Sequence, residues 1–215
     1  MRSDSGRLVF SVAIAALLWF YMFSPWTWGA PNFWIVMSVS AVILTSCTLA
    51  FTSDRKALLK VERPLLQLLG GIALAFLLWG IFWVGDKLST LMFNFARPQV
   101  DAVYSMKAGL PVTVIAILLL FLIGPAEELF WRGYVQRTIT RLFQDRKWGA
   151  DLAFISTAVI YALVHIWSFN FMLIMAALVA GLVWGLIYRI CPKALPALIV
   201  SHALWDALVF VILPI

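Results

Sequence analysis

Pro111-Val-Thr-Val-Ile-Ala-Ile-Leu-Leu-Leu-Phe-Leu-Ile-Gly-Pro-Ala126 runs without a charge, and Glu127-Glu128-Leu-Phe-Trp-Arg132 follows at once. A run of this kind reads as a membrane-spanning helix, because a hydrocarbon core of about 30 Å takes roughly 17–25 residues to cross. Seven such runs are found: Leu8–Trp26, Phe33–Thr52, Leu65–Val84, Pro111–Trp131, Ala150–Trp167, Phe171–Tyr188 and Leu195–Leu213. The fold class is therefore all-α, a polytopic membrane helix bundle. Only 12% of the 215 residues are charged, where a soluble domain has about 25%. Nearly every residue falls in a span or a short connection, so 1–215 reads as a single integral membrane domain. The first run is too long, and lacks a small-x-small cleavage site, for a removed signal peptide; it is expected to stay as a helix.

Basic residues set the orientation. With a cytoplasmic N-terminus, Arg2, Arg7, Arg55, Lys56, Lys60, Arg63, Arg132, Arg137, Arg141, Arg146, Lys147, Arg189 and Lys193 lie inside, against Lys87, Arg97 and Lys107 outside. Trp26, Trp28, Trp34, Trp83 and Trp167 then fall at outer ends, as an aromatic interfacial belt would. The net charge of +6 reads as topology and contact with anionic lipid headgroups. No basic stretch is interleaved with aromatics in a soluble region, so no nucleic-acid partner is expected. The short connections and the strong positive-inside bias suit a bacterial cytoplasmic membrane. Cys47 is mid-span and Cys191 lies on the reducing side, so no disulfide is expected.

Two connections are longer. Gly85–Leu110 mixes apolar and charged residues and suits either an amphipathic interfacial segment that could serve as a lid or a plain connector. Between Gly133 and Trp148, Tyr134, Val135, Ile139, Leu142 and Phe143 recur at a helical repeat, so the fourth helix is expected to run on past Trp131. Ala177, Gly181 and Gly185 form a small-xxx-small row that permits close helix packing.

The chain has three glutamates and two histidines, and four of these five lie in apolar runs: Glu127, Glu128, His165 and His202. Ionisable groups at membrane depth cost at least about 2.5–3.5 kcal/mol each, which points to joint use. On a helix Glu128 and Arg132 share a face at i, i+4, with acid before base, while Glu127 is turned some 100° away. The spacing suggests that Glu128 and Arg132 neutralise one another and pin the helix, leaving Glu127 to face a cavity as a general base. A purely structural salt-bridge cluster fits the same spacing. His202 and Asp206 are again i, i+4, so the carboxylate is placed to orient the imidazole. Ser156, Thr157, Ser168 and Ser201 are not at i±4 from either histidine, and no Gly-x-Ser-x-Gly or His-Glu-x-x-His occurs. Hydrolysis by water is then the simplest chemistry: Glu127 with His165 takes its proton, and His202 with Asp206 holds the oxyanion. No cofactor is expected; the alternative is zinc held by Glu127, His165 and His202.

At these residues the sequence resembles the CAAX-protease and bacteriocin-processing family of intramembrane proteases, also called Abi, which includes the type II CAAX prenyl endopeptidases. The family carries Glu-Glu-x-x-x-Arg, Phe-x-x-x-His and His-x-x-x-Asn (or a similar polar residue) on separate membrane helices. Here they read Glu127-Glu128-Leu-Phe-Trp-Arg132, Tyr161-Ala-Leu-Val-His165 and His202-Ala-Leu-Trp-Asp206. The resemblance spans about Pro111 to Leu208 and marks 111–208 as the catalytic core. It implies a glutamate-dependent intramembrane endopeptidase acting on a membrane-associated or lipidated protein or peptide. In it the first glutamate and middle histidine activate water, and the last histidine and its partner stabilise the oxyanion. Tyr161 stands in place of the usual phenylalanine, and Asp206 where asparagine is common; an ionised aspartate cannot donate to an oxyanion. A proton-coupled transporter, or an inactive scaffold or immunity member of the family, would carry the same polar groups. With the spans as drawn, Glu127 lies near the cytoplasmic end of its run and His165 near the outer end of its own. The motifs meet only if the fourth helix continues well beyond Arg132.

Overall fold

The computed structural model describes residues 2–27 and 32–215, with the side chain of Arg2 left aside. Trp28, assigned above to the outer belt, lies outside the described residues. Among the described residues the chain is helical with no strands. Seven helices are long and apolar enough to cross a membrane. They are α1 (Arg2–Phe23), α2 (Phe33–Phe51), α4 (Pro64–Met92), α6 (Val112–Leu142), α7 (Gly149–Ser168), α8 (Phe171–Ile190) and α9 (Pro192–Ile212). Two short helices connect them, α3 (Arg55–Leu58) and α5 (Ala96–Ser105). This is the seven-span integral membrane bundle expected from the hydropathy pattern, and the first run is indeed a helix.

Local sequence chemistry sets the boundaries. Asn32 and Asn170 cap α2 and α8, each side-chain oxygen accepting from a backbone N–H of the first turn. Pro64 and Pro192 stand at the first positions of α4 and α9, where a missing N–H costs nothing. The last turns of α7, Val164–Ser168, tighten to a 3₁₀ helix and stop at Phe169 in the left-handed region.

Three features refine the sequence reading. First, α6 continues to Leu142 as one helix. Glu127 therefore stands 15 residues, or about 22 Å, from the Leu142 end, while His165 stands 16 residues, about 24 Å, from the start of α7. One short connection joins those two ends, so the motifs lie at matching depth. Second, Arg132 is buried inside the bundle, so it is withdrawn from the cytoplasmic charges; the bias of the rest is unchanged. Third, α4 extends to Met92 and α5 docks on the start of α8, Asn170 donating to Gln99 O and Met172 N–H to Gln99 Oε1. The Gly85–Leu110 connection is thus mostly helix. Trp26 and Trp83 are exposed, but Trp34 is buried and donates to Met106 O, so it is a packing residue rather than a belt residue.

The small-residue row of α8 acts in packing. A Cβ on Gly181 would approach the Tyr161 ring at 3.2 Å, and one on Gly185 would approach Phe154 at 3.0 Å, so α8 sits close against α7. The approach of α6 to α9 is closer still: a Cβ on Gly124 would lie 2.6 Å from Ala203 Cα. That contact sets the spacing on which the polar cluster depends.

Candidate active site

Glu127 and Glu128 sit between two wide-turn segments of α6, Leu119–Ile123 and Leu129–Gln136, where the backbone hydrogen bonds run i→i+5. Such turns insert a residue into the helical repeat and re-aim the side chains beside them. The two glutamates diverge as their adjacency dictates. Glu127 points toward α7, where its Oε2 accepts from Tyr161 Oη at 3.0 Å. Glu128 points toward α9, where its Oε1 meets His202 Nδ1 at 2.8 Å.

The same Glu128 oxygen accepts from Arg132 Nη1 at 2.8 Å, so the i, i+4 pair forms. Glu128 is more than a neutralising partner, however, because it also fixes the imidazole. A carboxylate accepts only, so Nδ1 of His202 carries a proton and donates it. The Arg132 guanidinium lies over the rings of Tyr161 and Trp184, 5.1 and 5.4 Å from their centroids, and Nη2 reaches Gly181 O at 3.4 Å. A buried cation is tolerated when paired and faced by aromatic surfaces in this way.

Trp184 also stacks on His202, with centroids 4.1 Å apart and planes 18° off parallel, and donates its own N–H to Ser201 Oγ. His202 is thus held by an ionic contact at one nitrogen and by an aromatic face. Its Nε2 lies 3.6 Å from Asp206 Oδ2, beyond hydrogen-bond reach. The partner that orients the ring is therefore Glu128, and Asp206 stands beside the opposite nitrogen.

His165 has different company. An indole N–H can only donate, so the 3.0 Å contact from Trp19 Nε1 makes Nε2 of His165 the acceptor. Its Nδ1 then carries the proton and donates to Tyr161 O at 2.8 Å. Glu127 and His165 are linked through Tyr161; among the described residues neither imidazole hydrogen-bonds Glu127. Trp19 comes from α1, a helix that carries none of the motifs, and sequence reasoning missed it. An indole N–H one turn inside an apolar span, which lipid cannot satisfy, was the available signal.

The structure brings Glu127, Glu128, Arg132, Tyr161, His202 and Asp206 into one contiguous polar cluster, and His165 joins it through Tyr161. The cluster is almost closed: Glu127 is 5% exposed, His165 7% and Asp206 8%, with Glu128 and Arg132 fully buried. Two sizeable cavities flank it without including any of these six residues or His165. An apolar one of about 370 Å³ lies beyond Trp205, between α4, α5, α8 and α9; the other, of about 430 Å³, opens at the basic end of the bundle. Among the described residues no group of three His, Cys, Asp or Glu side chains is arranged to hold a metal ion. Both nitrogens of His165 and Nδ1 of His202 have other partners, so Glu127, His165 and His202 as placed do not fit zinc.

Residues 109–208, just under half of the chain, match the model of the family described as Rce1-like, type II CAAX prenyl endopeptidase Rce1-like. The matched stretch contains all three motifs, and the resemblance drawn from them is borne out. At the level of the family the match supports a CAAX-type intramembrane protease. No curated protein and no solved structure matches the chain.

Proposed function

We propose that the protein is an intramembrane endopeptidase in which Glu127 activates water and His202, oriented by Glu128, stabilises the oxyanion. The observation that carries this reading is the divergence of the two adjacent glutamates onto different helices, to Tyr161 at 3.0 Å and to His202 at 2.8 Å. One carboxylate is committed to a cation and an imidazole. The other keeps an oxygen free of strong partners, which is what a base requires.

In the proposed reaction, Glu127 takes a proton from water as the hydroxide oxygen adds to the peptide carbonyl carbon. The negative charge develops on the former carbonyl oxygen, and His202, protonated at both nitrogens, donates from Nε2 to it. Asp206, beside Nε2, offsets the charge of the ring rather than donating to the oxyanion. The proton on Glu127 then passes to the amide nitrogen, the C–N bond breaks, and a carboxylic acid and an amine leave. His165 supports the Glu127 side by holding the Tyr161 backbone. Direct action of His165 on water requires it to release the Trp19 N–H. The substrate is a membrane-associated protein or peptide, in keeping with the family; a lipidated C-terminal segment is the form the type II CAAX endopeptidases suggest.

A catalytically inactive family member is the second reading, favoured by the complete satisfaction of both His165 nitrogens. Quantitative proteomics of membranes carrying the wild type or Glu127→Gln separates the two. The protease yields shortened membrane proteins or released peptides that vanish in the variant. Identical peptide sets, with both proteins folded and equally abundant, would leave only the inactive reading.

A further inference from the structure

A cavity of about 430 Å³ opens at the basic end of the bundle, between the last turns of α6 and α8, the first turns of α7 and α9, and the segment after α3. Lys60, Arg137, Arg141, Arg189 and Lys193 all line it. Two carboxylates answer these five cations. Glu62 is shared by Lys60 and Lys193, at 2.8 and 3.0 Å, and Asp151 pairs with Arg189 at 2.6 Å. Hydrogen bonds from Lys60 and Lys193 push the carboxyl of Glu62 down to about 2, so it remains ionised and committed to them. Arg141 reaches the neutral hydroxyl of Ser53 at 3.4 Å, and among the described residues no ion pair holds Arg137. Three positive charges remain uncompensated around one hollow.

The topological bias of basic residues accounts for the sign at this end of the molecule. It does not account for cations from several separate segments converging on one concavity. Positive charges around a cleft with low-dielectric walls focus their field into it. Arginine forks match phosphate oxygens in particular. Leu58, Leu195 and Pro196 give the same hollow an apolar side, so it has room for the organic part that carries a phosphate.

We propose that this cavity binds a phosphate group, carried by an anionic lipid headgroup or by a soluble phosphate compound. The site is separate from the catalytic cluster, yet it touches all three helices that carry its motifs, α6, α7 and α9. Arg137 and Arg141 continue the helix of Glu128, and Leu195 opens the helix of His202.

Full-length protein in detergent, supplemented with phosphatidylglycerol or phosphatidylcholine, would be examined by native mass spectrometry. In parallel its thermal stability would be followed against inorganic phosphate, with chloride at equal ionic strength as control. Preferential retention of phosphatidylglycerol, weakened roughly tenfold or more in R137Q/R141Q, supports the lipid source. Stabilisation of the wild type by phosphate but not chloride, lost in that variant, supports the soluble source. R146Q/K147Q removes two exposed charges from the same end outside the cavity and should behave as wild type. Should R137Q/R141Q fail to fold, K60Q/K193Q is read in its place. The proposal is overturned if neither probe distinguishes wild type from the cavity variant, or if R146Q/K147Q loses as much.

Discussion

Glu128 holds His202 Nδ1 at 2.8 Å with the same oxygen that takes Arg132 Nη1 at 2.8 Å, so one buried carboxylate both neutralises α6 and orients the imidazole of α9. Glu128→Ala should therefore fail twice. It strands a buried guanidinium, a loss of about 3–5 kcal/mol for a broken buried pair, and it frees His202 to rotate. The double variant Glu128→Gln with Arg132→Met removes the stranded charge. It should regain most of the thermal stability in detergent while proteolysis stays low, because an amide orients the ring less firmly than a carboxylate. Recovery of cleavage along with stability would show that Glu128 serves Arg132 alone.

Among the described residues Tyr161 gives Glu127 its one side-chain donor. Glu127→Gln keeps an acceptor for that hydroxyl, so melting should move little while cleavage disappears. Tyr161→Phe is the complementary test. It removes a hydrogen bond to an acidic group, worth about 1.5–3 kcal/mol, yet leaves the base in place. Since the family pattern has phenylalanine here, product formation should persist at a reduced rate while the melting temperature falls. Paired melting curves and peptide release from the two variants check both statements.

The fold was legible because each span advertises itself by length: all seven runs reappear as helices, most ends within about five residues, while α4 runs on to Met92 and α6 to Leu142. The continuation of α6 was also readable, from Tyr134, Val135, Ile139, Leu142 and Phe143 at helical spacing. Pairings within one helix, such as Glu128 with Arg132, follow from the 3.6-residue repeat. Pairings between helices do not, because sequence spacing carries no information on which face meets which neighbour. The i, i+4 spacing pairs His202 with Asp206 on its own helix, whereas Glu128 of α6 reaches its Nδ1 more closely. The wide turns that flank Glu127 were equally silent, since Leu119–Ile123 differs in no visible way from other apolar helix.

Trp19 and His165 supply a test of how the middle histidine works. Trp19→Phe removes the donor to Nε2 while keeping an aromatic ring against the imidazole, which Trp19 meets edge-on at 5.9 Å. The structure requires Nδ1 protonated and Nε2 bare, so nitrogen-15 NMR of labelled His165 should report one pyrrole-type and one pyridine-type nitrogen. In Trp19→Phe the Nε2 resonance should shift as its hydrogen bond is lost, with about 1 kcal/mol lower stability. If His165 acts on water, the variant should cleave at least as fast as wild type. A large fall in cleavage with an unchanged spectrum would instead assign Trp19 to substrate.

Gly124 tests whether the spacing of α6 and α9 creates the site. Its absent side chain lets Ala203 approach so closely that a methyl group would sit 2.6 Å from Ala203 Cα and 2.8 Å from its nitrogen. Both are backbone atoms of a helix and have no rotamer by which to yield, so Gly124→Ala must push α9 outward. The cost of such overpacking is about 1–3 kcal/mol. The Glu128 to His202 contact spans this same interface, four residues along α6, and would lengthen with it. Gly70→Ala is the control, since a Cβ there meets nothing within 4 Å. Gly124→Ala should thus lower both melting temperature and cleavage, and Gly70→Ala neither. Full cleavage by a destabilised Gly124→Ala would mean that catalysis does not depend on Glu128 touching His202.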